Sequence, residues 1–157
     1  MSYSTVLPLD DVKVYLRISH DDSNAEISRM IKSAMEIVEL KTNVLVYQRA
    51  TKTYPFVDNH VRVYDGPINT SGTTGLATTV TRTDYRNYSL FEDTNADNTS
   101  VILDVGHSSP SDVPQGLIDA ALEMIDYWYY KNDGRANIAL MPDSVEQTLS
   151  VHTRFLI

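Results

Sequence analysis

The sequence predicts an α+β fold, mainly α: a small helical bundle that carries a β-rich insertion. Three observations predict it. Apolar residues recur at helical spacing near both ends of the chain. Between residues 44 and 112 the pattern changes to β-branched and aromatic residues with shorter alternation, punctuated by Gly, Pro and Asn. The length, 157 residues, suits one domain and not two. A chain of this size buries roughly 70% of its unfolded surface and so builds its own core. A single domain over residues 1–157 is expected, with the insertion at 44–112 and a tail at 152–157.

The helices are predicted at about 9–17, 23–42, 114–132 and 143–151. In the first, Asp10 and Asp11 fall where carboxylates complement the helix dipole, and Leu9, Val12 and Leu16 share an apolar face. The second opens on Ser23-Asn24-Ala25-Glu26, a capping-box pattern. Ile27, Met30, Ile31, Ala34, Ile37, Val38 and Lys41 then keep helical spacing, while Arg29, Lys32, Glu36 and Glu39 make a solvated face. Asn43 is its expected left-handed stop.

Strands follow at Val44–Tyr54, His60–Tyr64, Leu76–Arg82, Tyr85–Phe91 and Thr99–Val105, with turns at Asp65-Gly66-Pro67 and Asp93–Asn98. The insertion is rich in Thr and Asn and poor in large apolar residues, so a small sheet packed on the bundle is expected. Pro114 suits the first turn of the third helix, with Asp112 as a cap candidate and Gly134 as the stop. Its stripe is Leu117, Ala121, Leu122, Ile125, Trp128 and Tyr129. Asp143 and Glu146 are the expected capping pair of the last helix, after Met141-Pro142.

Composition removes several function classes. The formal net charge is -8, which argues against wrapping DNA by phosphate neutralisation. With no cysteine there are no disulfides, thiolate metal sites or cysteine nucleophiles. No apolar run is long enough to span a membrane, and Met1–Thr5 lacks the features of a signal peptide. Sequons at Asn69, Asn87 and Asn98 are chance matches in that setting.

No catalytic constellation emerges. His20, His60, His107 and His152 are scattered and read as ordinary surface or partly buried side chains. Asp93-Thr94-Asn95-Ala96-Asp97 resembles the start of a calcium loop, but Asn98 stands where the glycine belongs and Asp104 where the glutamate belongs. A solvated hairpin turn is the better reading. Thr70–Gly75 lacks the lysine and helix of a phosphate loop. No metal, cofactor or catalytic residue is expected. Two features stand out instead: the aromatic run Tyr127-Trp128-Tyr129-Tyr130, and the apolar end Phe155-Leu156-Ile157, which needs a docking surface.

Three segments resemble the head–tail connector (adaptor, or head-completion) proteins of tailed bacteriophages, a family also associated with DNA packaging. One is Leu9–Ile18 with His20-Asp21-Asp22 and the helix that follows. Another is Val113-Pro114-Gln115-Gly116-Leu117-Ile118-Asp119-Ala120-Ala121, running to Tyr129, Tyr130 and Asn132. The third is Met141-Pro142-Asp143-Ser144-Val145 with Thr153-Arg154. Their order and spacing cover nearly the whole chain. Departures are Asp133-Gly134-Arg135, where an Arg directly after Asn is common, and Thr153 in place of the usual Tyr. The insertion matches longer members only loosely.

The resemblance implies a non-enzymatic virion protein. Such connectors form a ring of copies, usually a dodecamer, beneath the portal protein; the ring extends the DNA channel and docks a stopper or tail protein. It implies residence in the virion neck, with assembly in the host cytoplasm. DNA would pass without specific binding, and an acidic lumen suits that. The expected portal contacts are Arg154, Phe155, Leu156 and Ile157, since connectors commonly engage the portal through this end. The expected subunit contacts are Arg29, Lys32, Glu36, Tyr127 and Tyr130, for their mixed charge and exposed aromatics. The alternative is a cytoplasmic ligand-binding or regulatory domain with its pocket in the insertion; a hydrolase is a remote third.

Overall fold

Two long amphipathic helices organise the helical half of the molecule, because each buries one apolar stripe against the other. The computed structural model describes residues 2–48, 52–68, 79–95, 98–131 and 141–153. The elements are α1 (Tyr3–Val6), α2 (Leu9–Tyr15), α3 (Asn24–Thr42), β1 (Lys52–Pro55), β2 (His60–Val63), β3 (Val80–Asp84), β4 (Ser89–Asp93), β5 (Ser100–Leu103), α4 (Gln115–Lys131) and α5 (Asp143–His152). The fold is α+β, as the spacing predicts. Ile27, Met30, Ile31, Ala34, Met35 and Val38 of α3 meet Leu117, Ala121, Met124, Ile125 and Trp128 of α4 in one buried cluster. Val12, Leu16, Val145 and Leu149 join it from α2 and α5.

The helices differ from the sequence reading in five places. The four-residue α1 was not expected. Helix α2 stops at Tyr15, before Arg17, which takes φ 57° while the Ile18 amide donates to the Lys13 carbonyl at 2.9 Å. Ser23 makes no capping hydrogen bond; its hydroxyl lies 3.2 Å from the Tyr129 hydroxyl, so a tertiary contact replaces the capping box. At the last helix the cap is Pro142, and Glu146 instead pairs with Lys41 of α3 at 3.5 Å. Asp112 is likewise not the cap of α4: it closes a 3-10 turn, Pro110–Asp112. Asn43 does cap α3 in the left-handed conformation, φ 56°. The predicted stop at Gly134 lies outside the described residues.

The insertion holds two antiparallel sheets, β1-β5 and β2-β4-β3. The strands are shorter than expected. Val44 enters only an isolated bridge to Gly66, and β3 begins at Val80; residues 76–78 and the loop at 70–75 fall outside the described residues. Asp58 and Asn59, both at positive φ, form a two-residue reversal, with Val57 and His60 exchanging backbone hydrogen bonds at 2.9 and 3.1 Å. The insertion also has its own apolar cluster: Leu45, Val63, Ile68, Phe91, Val101, Leu103 and Val105. It is therefore better packed than its Thr-rich composition suggests.

A seam joins the two halves. The Leu45 amide donates to the Gly66 carbonyl at 2.7 Å, Gly106 to Pro67 at 2.7 Å, His107 to Leu45 at 3.2 Å and Gln48 to His107 at 2.8 Å. Three distant chain segments thus meet through backbone hydrogen bonds just past the end of α3. Gly106 sits at φ 105°, and a Cβ there would stand 2.2 Å from the Tyr47 carbonyl oxygen. Glu39, read as part of the solvated face, is buried instead. One carboxylate oxygen accepts from the Tyr3 hydroxyl at 2.7 Å and the other from the Val46 amide at 3.0 Å, which ties α1, α3 and the seam together.

The Asp93 turn is a correction of a different kind. Asp93 is buried, not solvated. Its carboxylate accepts from the Asn98 amide at 2.9 Å, the Asn98 side chain at 2.8 Å and the Asn95 amide at 3.2 Å. These bonds, the Asn98 amide first, hold its pKa at about 2, against an ordinary 3.8.

Two predictions follow from the seam and this turn. Gly106→Ala should cost about 3 kcal/mol or more, from backbone strain plus overlap with Tyr47; urea unfolding followed by the fluorescence of the buried Trp128 measures it. Because the Asp93 carboxyl is more acidic when folded, its stabilisation is complete above an ordinary pKa of 3.8 and is lost as pH falls toward about 2. Melting temperatures across that window should fall less steeply for Asp93→Asn than for the native chain; parallel curves would contradict this.

Candidate functional site

No group of three or more His, Asp or Glu able to hold a metal occurs among the described residues. On α3, Arg29, Lys32 and Glu36 are exposed as expected, with Lys32 and Glu36 paired loosely at 3.9 Å across one helical turn. Such a pair contributes little to stability and leaves both charges available. Lys32 also borders an apolar groove of about 230 Å³ between α1 and α3, lined by Tyr3, Leu9 and Ile31.

The two tyrosines predicted on α4 behave differently. Tyr127 is half-buried against the helical core, with the Lys131 ammonium 5.5 Å from its ring centre. Tyr130 is 59% exposed, yet its hydroxyl donates to the Leu16 carbonyl, an orphan acceptor at the end of α2. It also meets Tyr129 edge-on, with ring centres 5.0 Å apart. Lys32 thus faces the groove beside α1, and Tyr130 the end of α2. These two of the predicted subunit-contact residues therefore lie in different settings. The predicted portal contacts, Arg154, Phe155, Leu156 and Ile157, lie outside the described residues. The chain reaches Thr153 beside the end of α3, with its hydroxyl 3.3 Å from the Lys41 carbonyl.

Beside Tyr130, the α2–α4 surface is aromatic and acidic. Asp119, Glu123 and Asp126 follow the i, i+4, i+7 spacing that places side chains on one helix face. Gln115 donates to Asp119 at 2.9 Å, and the Ser144 hydroxyl donates to Glu123. Tyr15, at the end of α2 and 48% exposed, is within electrostatic reach of this stripe. Its pKa is raised, chiefly by burial and then by the charges of Asp126, Glu123 and Asp119.

The insertion presents a face of opposite character, which the sequence reading passed over. Alternation along β2 turns Val61 and Val63 inward and Arg62 outward. The β3–β4 hairpin closes between Asp84 and Ser89, so Tyr85-Arg86-Asn87-Tyr88 form its tip. Tyr85 stacks on Tyr88 at 4.7 Å, Tyr88 tilts against Tyr64 at 5.7 Å, and the Arg62 guanidinium lies 5.5 Å from the Tyr88 ring centre. The signal in sequence was the shared alternation of Arg and Tyr in two segments whose pairing only the register reveals.

Below the hairpin, a cavity of about 320 Å³ is lined by Val44, Ile68, Arg82, Tyr85, His107 and Pro114. His107 is partly buried, and burial lowers its pKa while Asp112 opposes the shift. The neutral imidazole is therefore favoured. Its partial burial is one of the two settings expected for the histidines.

No family model matches the chain, and no curated protein matches it. Among the chains of solved structures that share its fold are two from GTA particles. One belongs to the neck of an empty GTA particle computed with C6 symmetry: TM-score 0.74, 16% identity, covering 98% of this chain and 92% of that one. The other belongs to the virion of a native gene transfer agent (GTA) particle: TM-score 0.70, 16% identity, with the same coverage of 98% and 92%. At this identity the likeness is one of fold, and it takes in the helices and the insertion together.

The stripe beside Tyr15 yields a prediction. Removing one charge with Asp126→Asn should lower the pKa of Tyr15 while burial keeps it above the ordinary tyrosine value of 10.0. A tyrosine-ring NMR titration reads both effects, and an unchanged Tyr15 titration would show that Asp126 does not act on it.

Proposed function

We propose that this chain is a structural subunit of the neck of a phage-like particle, a head–tail adaptor. In this reading it is one connector domain that assembles with copies of itself into a ring under the portal protein. The ring extends the DNA channel and gives the stopper or tail protein its docking surface. The observation that carries the reading is the fold likeness to a chain of a particle neck over 98% of this chain, insertion included. Its support from sequence is independent: the ordered motifs at Leu9–Ile18, Val113–Ala121 and Met141–Val145 resemble connectors. A ring of twelve is compatible with the C6 symmetry applied to that neck, since twelve is a multiple of six.

The role is non-catalytic and takes no cofactor. The net charge of -8 suits a wall past which DNA slides without adhering. Arg154, Phe155, Leu156 and Ile157 are the proposed portal contact, an apolar anchor with one cation. Arg29, Lys32, Glu36, Tyr127 and Tyr130 are the proposed contacts to neighbouring copies, with Tyr127 contributing only its accessible edge.

Deleting residues 154–157 should abolish binding to purified portal-bearing capsids while leaving the thermal unfolding of the free protein nearly unchanged. Co-sedimentation with the capsids measures the first and calorimetry the second. Full binding by the truncated chain would remove the tail from the portal contact.

A further inference from the structure

The surplus of carboxylates is unevenly placed. The α4 stripe of Asp119, Glu123 and Asp126, continued one turn on by the exposed Tyr130, is acidic and aromatic. At the hairpin end of the β2-β4-β3 sheet Arg62 lies over Tyr88, whose ring also meets Tyr64 and Tyr85, and Arg86 is exposed in the turn. Asp84 there is paired with Arg82, and Glu92, the carboxylate of the outer face, stands at the far end beside His60. Both faces expose groups that concentrate at protein interfaces, namely tyrosine and arginine. Their charges are complementary within one chain, and they lie on different elements. Two unlike, mutually complementary faces on a single subunit make a head-to-tail contact, and a head-to-tail contact that closes makes a ring.

We propose that the Arg62/Arg86 face of one copy docks on the Asp119/Glu123/Asp126 stripe of the next. The occupant of each face is therefore a second copy of this chain. This deepens the neck-subunit reading, and rests on it, by adding a charged pair of faces to the contacts proposed through Arg29, Lys32, Glu36, Tyr127 and Tyr130. Nucleic acid is the competing occupant of a basic tyrosine platform. The overall charge disfavours it, whereas a carboxylate stripe on the same molecule is a partner already at hand.

The test reads self-association of the full chain by analytical ultracentrifugation at high protein concentration and low salt. Arg62→Glu with Arg86→Glu should weaken association more than about tenfold, and so should Asp119→Lys with Asp126→Lys. All four substitutions on one chain should restore it, because both faces then exchange sign. A second measurement needs no charge reversal. The native chain has no cysteine, so Arg86→Cys with Asp126→Cys should give a ladder of disulfide-linked multimers on oxidation. The control pair Arg86→Cys with Leu40→Cys should give none.

Single-face variants that associate like the native chain would overturn the inference and leave the neck reading standing. A chain that stays monomeric and forms no ladder would overturn it as well, while binding to portal-bearing capsids judges the neck reading separately. Binding of a single-stranded oligonucleotide that is lost on Arg62→Glu with Arg86→Glu, without any ladder, would reassign the sheet face to nucleic acid.

Discussion

The molecule depends on the seam where α3 hands the chain to the insertion. Glu39 accepts from Tyr3 and from the Val46 amide, so one buried carboxylate holds the N-terminal turn, the end of the longest helix and the first segment of the insertion. A few residues on, the Gly106 backbone passes so close to Tyr47 that any side chain would collide. Those contacts explain how two apolar clusters coexist. Leu45 belongs to the β cluster and Val46 to the helical one, so adjacent residues feed opposite cores. If the seam slipped by one residue, each would point into the wrong core.

Much of the helical half was legible because its physics is local. The spacing of Ile27, Met30, Ile31, Ala34 and Val38 is enough to orient α3, and Asn43 marks its end. Glu39 was misplaced because it stands at the edge of the Arg29–Lys32–Glu36 stripe, while its two donors come from residues remote in sequence. Ser23 failed as a cap for a similar reason: Tyr129, more than a hundred residues away, competes for its hydroxyl. Asp93 could have been read better. An Asp followed by Asn two and five residues later can fold its carboxylate back onto the turn amides. The pair Asp58-Asn59 also carried a hairpin signal, since both residue types tolerate positive φ.

The candidate faces were legible only in part. Tyr130 showed as part of an aromatic run, but its place at the end of α2, with its hydroxyl on the Leu16 carbonyl, required the packed bundle. The Arg62–Tyr88–Tyr85 cluster depends on strand register, which pairs Arg62 with Leu90 and sets Tyr88 within reach of both Tyr64 and Tyr85. Net charge alone hides this arrangement. The same total of -8 is compatible with an evenly acidic surface, but here Arg62 and Arg86 share the hairpin end of one sheet while Asp119, Glu123 and Asp126 share one face of α4. An uneven surface of this kind favours one orientation of approach between copies over the others.

Electron microscopy of portal-bearing, tail-less capsids mixed with the purified chain tests the neck assignment most directly. A subunit of the neck adds a ring of density at one vertex only, coaxial with the portal, with the helical bundle and insertion recognisable in each copy. Capsids whose portal vertex is unchanged at saturating protein, or that bind the chain equally at every vertex, would contradict the assignment.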